Sequence, residues 1–176
     1  MNFKELELKG AYIIAPKKVE DERGFFARMW DKKIFEEKNL NSNLVQCNIS
    51  FNKKKGTLRG IHYQVQPYEE AKLIRCTRGG VFEVLVDLRR TSKTFKKWIG
   101  IELDSNDHMM LYVPEGIALG MQTLEDNTEL FYQMSQVYMP SYARGIRWND
   151  REFNISWPQK ITVISKKDLS YADFRL

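Results

Sequence analysis

The feature that most limits how this chain can fold is the recurrence of short segments rich in β-branched and aromatic residues, each closed by turn residues. They are Ala11–Ala15, Leu44–Phe51, Leu58–Gln64, Ala71–Thr77, Val81–Leu88, Lys97–Leu103, Met109–Val113, Met121–Leu124 and Glu129–Met134. Lys55-Gly56, Gln66-Pro67, Arg78-Gly79-Gly80, Ser105-Asn106-Asp107 and Pro114-Glu115-Gly116 supply the breaks. Strands this short and this closely spaced predict an all-β sandwich or barrel. One helix is expected before the C-terminal region, Asp31–Lys38, with Asp31 as its N-cap and Ile34 and Phe35 on its buried side. The tail from Asn149 to Leu176 reads as capping loops and short turns. At 176 residues the chain is expected to be a single domain, residues 1–176, with one real core.

The net charge of +5 is spread over dispersed lysines and arginines rather than one basic block, a pattern that by default is a solvated surface and that a phosphate-bearing small molecule could use as well as nucleic acid; no nucleic-acid partner is expected. Gly-x-Gly-x-x-Gly and Gly-x-x-x-x-Gly-Lys are both missing from the sequence, which removes the usual loops for dinucleotide or ATP binding. Gly116 and Gly120 read as a turn and a close packing point. Cys47 and Cys76 lie in apolar strand-like segments without Cys-x-x-Cys spacing, and both are expected to be reduced core residues. The N-terminus is charged where a signal peptide needs its apolar stretch, and no apolar run nears the roughly 20 residues that span a bilayer. A cytoplasmic protein with no membrane partner is the expectation.

The chain holds only two histidines, His62 and His108. The residue two places beyond His62 is Gln64, so the His-x-His pair that would hold a metal on one strand face is missing, and no metal or other cofactor is expected. A solitary imidazole suits acid–base work. Arg59 and His62 fall on opposite faces of an ideal strand, yet the intervening Gly60 permits a bulge that could re-aim either. Lys72 opens the strand Leu73-Ile74, either as a strand-edge lysine or as a cation reaching into a cavity. Tyr132 is a core aromatic or a phenol acid, and nothing local decides.

In order along the chain stand Asp21-Glu22-Arg23-Gly24-Phe25-Phe26, Leu58-Arg59-Gly60-Ile61-His62-Tyr63-Gln64, Lys72-Leu73-Ile74-Arg75, Val81-Phe82-Glu83-Val84-Leu85-Val86-Asp87-Leu88-Arg89, Pro114-Glu115-Gly116, Gly145-Ile146-Arg147-Trp148-Asn149-Asp150 and Ser165-Lys166-Lys167-Asp168. Together they resemble the dTDP-4-dehydrorhamnose 3,5-epimerase family over nearly the full length. The resemblance implies an all-β, cupin-type jelly-roll barrel with few short helices. It implies a homodimer acting without metal on a nucleotide-linked 4-keto-6-deoxy sugar. It makes His62 the general base, Asp168 its orienting carboxylate, Tyr132 the general acid and Lys72 the cation beside the developing oxyanion. It further places Arg23 and Arg59 near the diphosphate, Gln46 and Asn48 along the substrate, Tyr138 against the nucleotide base and Lys167 beside the pocket.

Three positions depart from the family pattern. Arg28 and Ala143 stand where glutamate is usual, and Leu119 stands where a histidine is usual. Leu119 cannot hydrogen-bond a sugar oxygen, so a change of sugar, or of the number of centres inverted, is expected there. The alternatives are a 3- or 5-mono-epimerase on another nucleotide sugar and a non-catalytic sugar-binding cupin.

Overall fold

The computed structural model describes residues 1–175. In chain order the strands are β1 (Asn2–Glu5), β2 (Tyr12–Ala15), β3 (Lys18–Asp21), β4 (Gly24–Ala27), β5 (Gln46–Asn52), β6 (Thr57–Gln64) and β7 (Lys72–Arg78). They continue with β8 (Gly80–Asp87), β9 (Trp98–Asp104), β10 (Met110–Val113), β11 (Ile117–Thr123), β12 (Thr128–Met134), β13 (Ala143–Gly145) and β14 (Val163–Ile164). Two short helices complete the set, α1 (Lys32–Glu37) and α2 (Lys166–Leu169). One large sheet runs β1-β2-β10-β7-β12-β5, a second runs β13-β6-β11-β8-β9 with β14 added parallel to β6, and β3 and β4 form a separate antiparallel hairpin. From β5 to β13 the chain passes back and forth between these sheets and pairs antiparallel within each, the winding of a jelly-roll barrel.

Alternation along the strands places the core. Ile74, Leu111 and Leu130 of the first sheet meet Val81, Leu85, Leu103, Ile117 and Met121 of the second in one buried cluster between the layers. The reverse side of the first sheet is covered by α1, whose Phe35 is 1% exposed and packs edge-on against Phe3 at 5.6 Å and Tyr112 at 5.9 Å. Burying that ring contributes about 2 kcal/mol. Asp31 caps α1 as the sequence suggests, its Oδ1 accepting from the Ile34 N–H at 3.2 Å. The reverse side of the second sheet, with Val84 and Val86, is covered by Ile146, Phe153, Trp157 and Phe174. No described helix is long and apolar enough to cross a membrane.

All nine expected segments are strands, and three expectations need correction. Met121–Leu124 is the end of a longer strand, because β11 starts at Ile117 and carries Gly120 in its interior. The tail is more than caps and turns, since it supplies β14 and α2. Cys47 is exposed while Cys76 is buried. Cys47, Ile49 and Phe51 alternate onto the outer face of β5, a strand at the edge of its sheet, so their apolar character does not bury them.

Candidate active site

The geometry of the site begins with an irregularity in β6. His62 lies opposite Leu119 of β11, but Arg59 lies opposite Met121, so three steps on β6 face two on β11. The extra residue turns the strand, and Arg59 and His62, which ideal alternation would separate, line the same cavity. Gly60 makes the bulge possible. Its φ is +112°, and a Cβ there would stand 2.6 Å from the Gly120 Cα and 2.9 Å from the Leu119 carbonyl oxygen.

The cavity lies in the open end between the sheets and has a volume of about 720 Å³. His62, Arg59 and Leu119 reach it from the second sheet, Lys72, Ile74 and Tyr132 from the first, and Asp168 and Lys167 from α2. An adjoining recess of about 350 Å³ shares His62, Lys72, Tyr132 and Lys167 and adds Gln46, Asn48, Tyr138, Arg144, Ala143 and Tyr171.

The two chemical centres face each other from opposite sheets. His62 Nε2 is 2.6 Å from Asp168 Oδ1. Asp168 is 3% exposed, and its other oxygen accepts from the Gly60 N–H at 3.5 Å. Ser165 caps α2 by accepting from the Asp168 N–H, which fixes the carboxylate's approach. Burial alone would raise this carboxyl, but the hydrogen bond and charge of His62, with Ser165 and Gly60, hold it below the usual aspartate value. An ionised Asp168 can only accept, so the shared proton belongs to His62 Nε2 and the Nδ1 lone pair is left to accept another. Tyr171 stands edge-on to the imidazole, with ring centroids 5.9 Å apart. Tyr132 projects from β12 with its phenol pushed up by burial, against the opposing charge of Arg59, so it keeps its proton.

Lys72 resolves to the second of its two readings, a cation inside the cavity, its side chain 12% exposed and its Nζ 2.7 Å from Glu70 Oε1. Arg59 is braced by Asn52, whose Oδ1 accepts from Nε at 2.7 Å. Gln46 donates to Asn48 Oδ1 at 3.0 Å and accepts from the Tyr138 N–H at 3.1 Å, which ties the recess wall together. Arg23 is the one expected site residue that the chain does not bring here. It sits at the tip of the β3–β4 hairpin, outside both hollows, bound to Asp21 with its side chain 84% exposed. Arg28 likewise lies outside, paired with Asp31 at 2.8 Å.

Reading the sequence gave no role to Glu83, Glu70 or Tyr171. Glu83 was signalled by strand parity, because it falls on the same inward face as Val81 and Leu85. Glu70 and Tyr171 stand in irregular segments, where no periodicity marks them.

A cavity with an imidazole–carboxylate pair on one wall and a protonated phenol on the other can take a proton from one face of a bound molecule and return one to the opposite face. Comparisons with known proteins agree on the class of molecule. The family profile described as dTDP-4-dehydrorhamnose 3,5-epimerase matches residues 5–175. The dTDP-4-dehydrorhamnose 3,5-epimerase of Shigella flexneri is 41% identical over 175 residues, covering 99% of this chain and 96% of that one. The crystal structure of the dTDP-4-dehydrorhamnose 3,5-epimerase of Elizabethkingia anophelis superposes with a TM-score of 0.95 at 37% identity, covering 99% of this chain and 96% of that one. A 3'-monoepimerase from Streptomyces bikiniensis in complex with dTDP-quinovose superposes with a TM-score of 0.86 at 28% identity, covering 96% of this chain and 85% of that one.

Proposed function

This chain belongs to the dTDP-4-dehydrorhamnose 3,5-epimerase family, and from that premise we propose that it inverts carbons beside the ketone of a dTDP-linked 4-keto-6-deoxy sugar, with His62 as base and Tyr132 as acid. The observation that carries these roles is the placing of the Asp168-bound His62 and the phenol of Tyr132 on facing sheets across one cavity.

The C4 ketone acidifies the hydrogens on C3 and C5. His62 Nδ1 takes one of them, the C–H electron pair moves into the ring, and the charge settles on the C4 oxygen as an enolate. The Lys72 ammonium stands by that oxygen, where fixed charge in a water-poor cavity is most effective. Tyr132 then gives its phenolic proton to the opposite face of the carbon. The carbon is inverted and the tyrosinate regains a proton, so no electron leaves the substrate. Asp168 holds the imidazole in the tautomer that leaves Nδ1 free and stabilises the imidazolium that forms. Arg59 and Lys167 supply positive charge for the diphosphate, and Gln46, Asn48 and Tyr138 line the recess that takes the rest of the nucleotide.

A homodimer fits the one residue left outside. The β3–β4 hairpin holds Val19, Phe25 and Phe26 exposed, and a second copy that covered them could receive Arg23 at its diphosphate. Leu119 favours a second reading, inversion of one centre only, because it faces the cavity directly across from His62 and offers no hydrogen bond. Both readings are separated by incubation with dTDP-4-keto-6-deoxyglucose in deuterated water, counting the carbons that exchange. His62→Ala is expected to lower exchange at each carbon by about 10²–10⁴-fold, and Tyr132→Phe to permit exchange with retention while blocking inversion. Wild-type exchange by His62→Ala would place the base elsewhere.

A further inference from the structure

The proton transfers leave one carboxyl of the cavity unused. Glu83 lies on the inward face of β8 between Val81 and Leu85, 1% exposed, and forms part of the cavity floor. Its partners across the sheet are Met121 of β11 and Ile101 of β9, whose side chains cannot bond it. Among the described residues Glu83 Oε2 has no hydrogen-bond partner. Lys72 shares the cavity, but its ammonium is engaged by Glu70, and no described ion pair joins it to Glu83.

An ionised Glu83 would be a buried anion without a partner, and binding a proton costs less than burying that charge. Burial accordingly pushes the Glu83 carboxyl up to about 8, against the opposing pull of Lys72. The groups facing it leave few other influences. From β7 come Lys72 and the Cys76 thiol, itself pushed up by burial to about 11, and from β12 comes Tyr132. Arg59 and His62 of β6 and Asp168 and Lys167 of α2 stand around the same cavity, while β11 lines it with Leu119, Gly120 and Met121 and no titratable group.

The neutral state has a consequence for Lys72. A charged Glu83 would compete with the substrate for the ammonium, and would set a negative charge in the hollow where the enolate's own charge develops. We propose that Glu83 is a positioning residue of the epimerisation, an uncharged carboxylic acid on the cavity floor whose neutrality leaves the Lys72 ammonium to Glu70 and the substrate's C4 oxygen. The role rests on the reading of Lys72 as the partner of that oxygen.

Two measurements test it. In protein labelled with ¹³C at its glutamate carboxyls, the resonance that disappears in Glu83→Gln is expected to titrate near pH 8. In steady-state assays with dTDP-4-keto-6-deoxyglucose, wild-type kcat is expected to fall through that same region, and Glu83→Gln to lose the alkaline fall while KM changes by less than about threefold. Glu83→Ala hollows the cavity floor and is expected to lower kcat about tenfold or more at neutral pH, with Glu83→Gln recovering much of that loss. A Glu83 resonance titrating in the ordinary carboxylate range overturns the proposal, as does a Glu83→Gln profile with the wild-type alkaline limb. Should Glu83→Ala fail to fold, Glu83→Gln and the resonance decide. If the wild type exchanges deuterium into neither C3 nor C5, the epimerase reading and the role built on it both fall, and the resonance separately decides whether the buried acid is uncharged.

Discussion

Asp87 and Glu83 stand four residues apart on the same face of β8, and the fold treats them in opposite ways. Asp87, 0% exposed, accepts from the backbone N–H and guanidinium of Arg89 and from the hydroxyls of Ser92 and Thr94. Arg89 in turn donates to the Lys9 carbonyl at 2.8 Å, so the carboxylate knits the loop after β8 to the N-terminal segment. Glu83 faces the cavity with an oxygen that nothing bonds. Burial would raise both carboxyls, yet the donors around Asp87 outweigh it and hold that group at about 2, while Glu83 is left at about 8. The difference separates a charge used to close the barrel from a polar group kept available in its open end.

The largest effect expected of this contrast is on stability. Asp87→Ala leaves the Arg89 guanidinium and two hydroxyls without their acceptor, and should destabilise the fold by about 3 kcal/mol while the cavity keeps its lining. Chemical denaturation of the variant beside the wild type measures it. The same group sets an acid limit. Its folded-state pKa lies below the ordinary value of 3.8, so its contribution is complete above that pH and is lost as pH falls toward about 2. The gap in melting temperature between wild type and Asp87→Ala should therefore narrow on acidification. A constant gap would mean that packing, not charge, is what Asp87 supplies.

Glu83→Leu tests the other side with a smaller effect of opposite sign. Exchanging an unbonded buried carboxyl for an apolar side chain should stabilise the protein by about 1 kcal/mol or more, even as turnover falls. A loss of stability comparable to that of Asp87→Ala would erase the distinction between the two ends of β8.

The contrast itself was not legible in the residues, but much of the fold that carries it was. Short β-branched and aromatic segments closed by turns placed nine strands, though not β1 or β13, and Gly60 marked the bulge that brings Arg59 and His62 together. Asp168 came only through the family resemblance, because a four-residue helix is too short for any periodicity and its partner lies 106 residues away. The β3–β4 hairpin was missed for a related reason. Its residues are exposed on both faces apart from Ala27, so there is no buried side for the pattern to report. Cys47 was misplaced because parity tells which residues share a face, not whether that face is covered.

The smallest expected effect concerns Leu119, which borders the cavity at the same level as His62 and so belongs to the open end rather than the closed one. Cβ atoms of residues directly opposite across a strand pair stand roughly 4.5–5.5 Å apart, so a side chain at 119 reaches the same part of a bound sugar as the base does. Leucine there packs onto the core cluster and gives the sugar bulk without a donor. A site built to bond a hydroxyl discriminates strongly against its absence, whereas an apolar wall is more permissive. Leu119→His, restoring the residue that the family resemblance places there, should raise kcat/KM on dTDP-4-keto-6-deoxyglucose about threefold to tenfold and increase the share of product inverted at both centres. It should also cost some stability, since an imidazole replaces an apolar contact with Leu85 and its neighbours. If the natural protein already inverts both carbons and the variant gains nothing, Leu119 acts as barrel wall and the open end is set by His62, Lys72, Tyr132 and Glu83 alone.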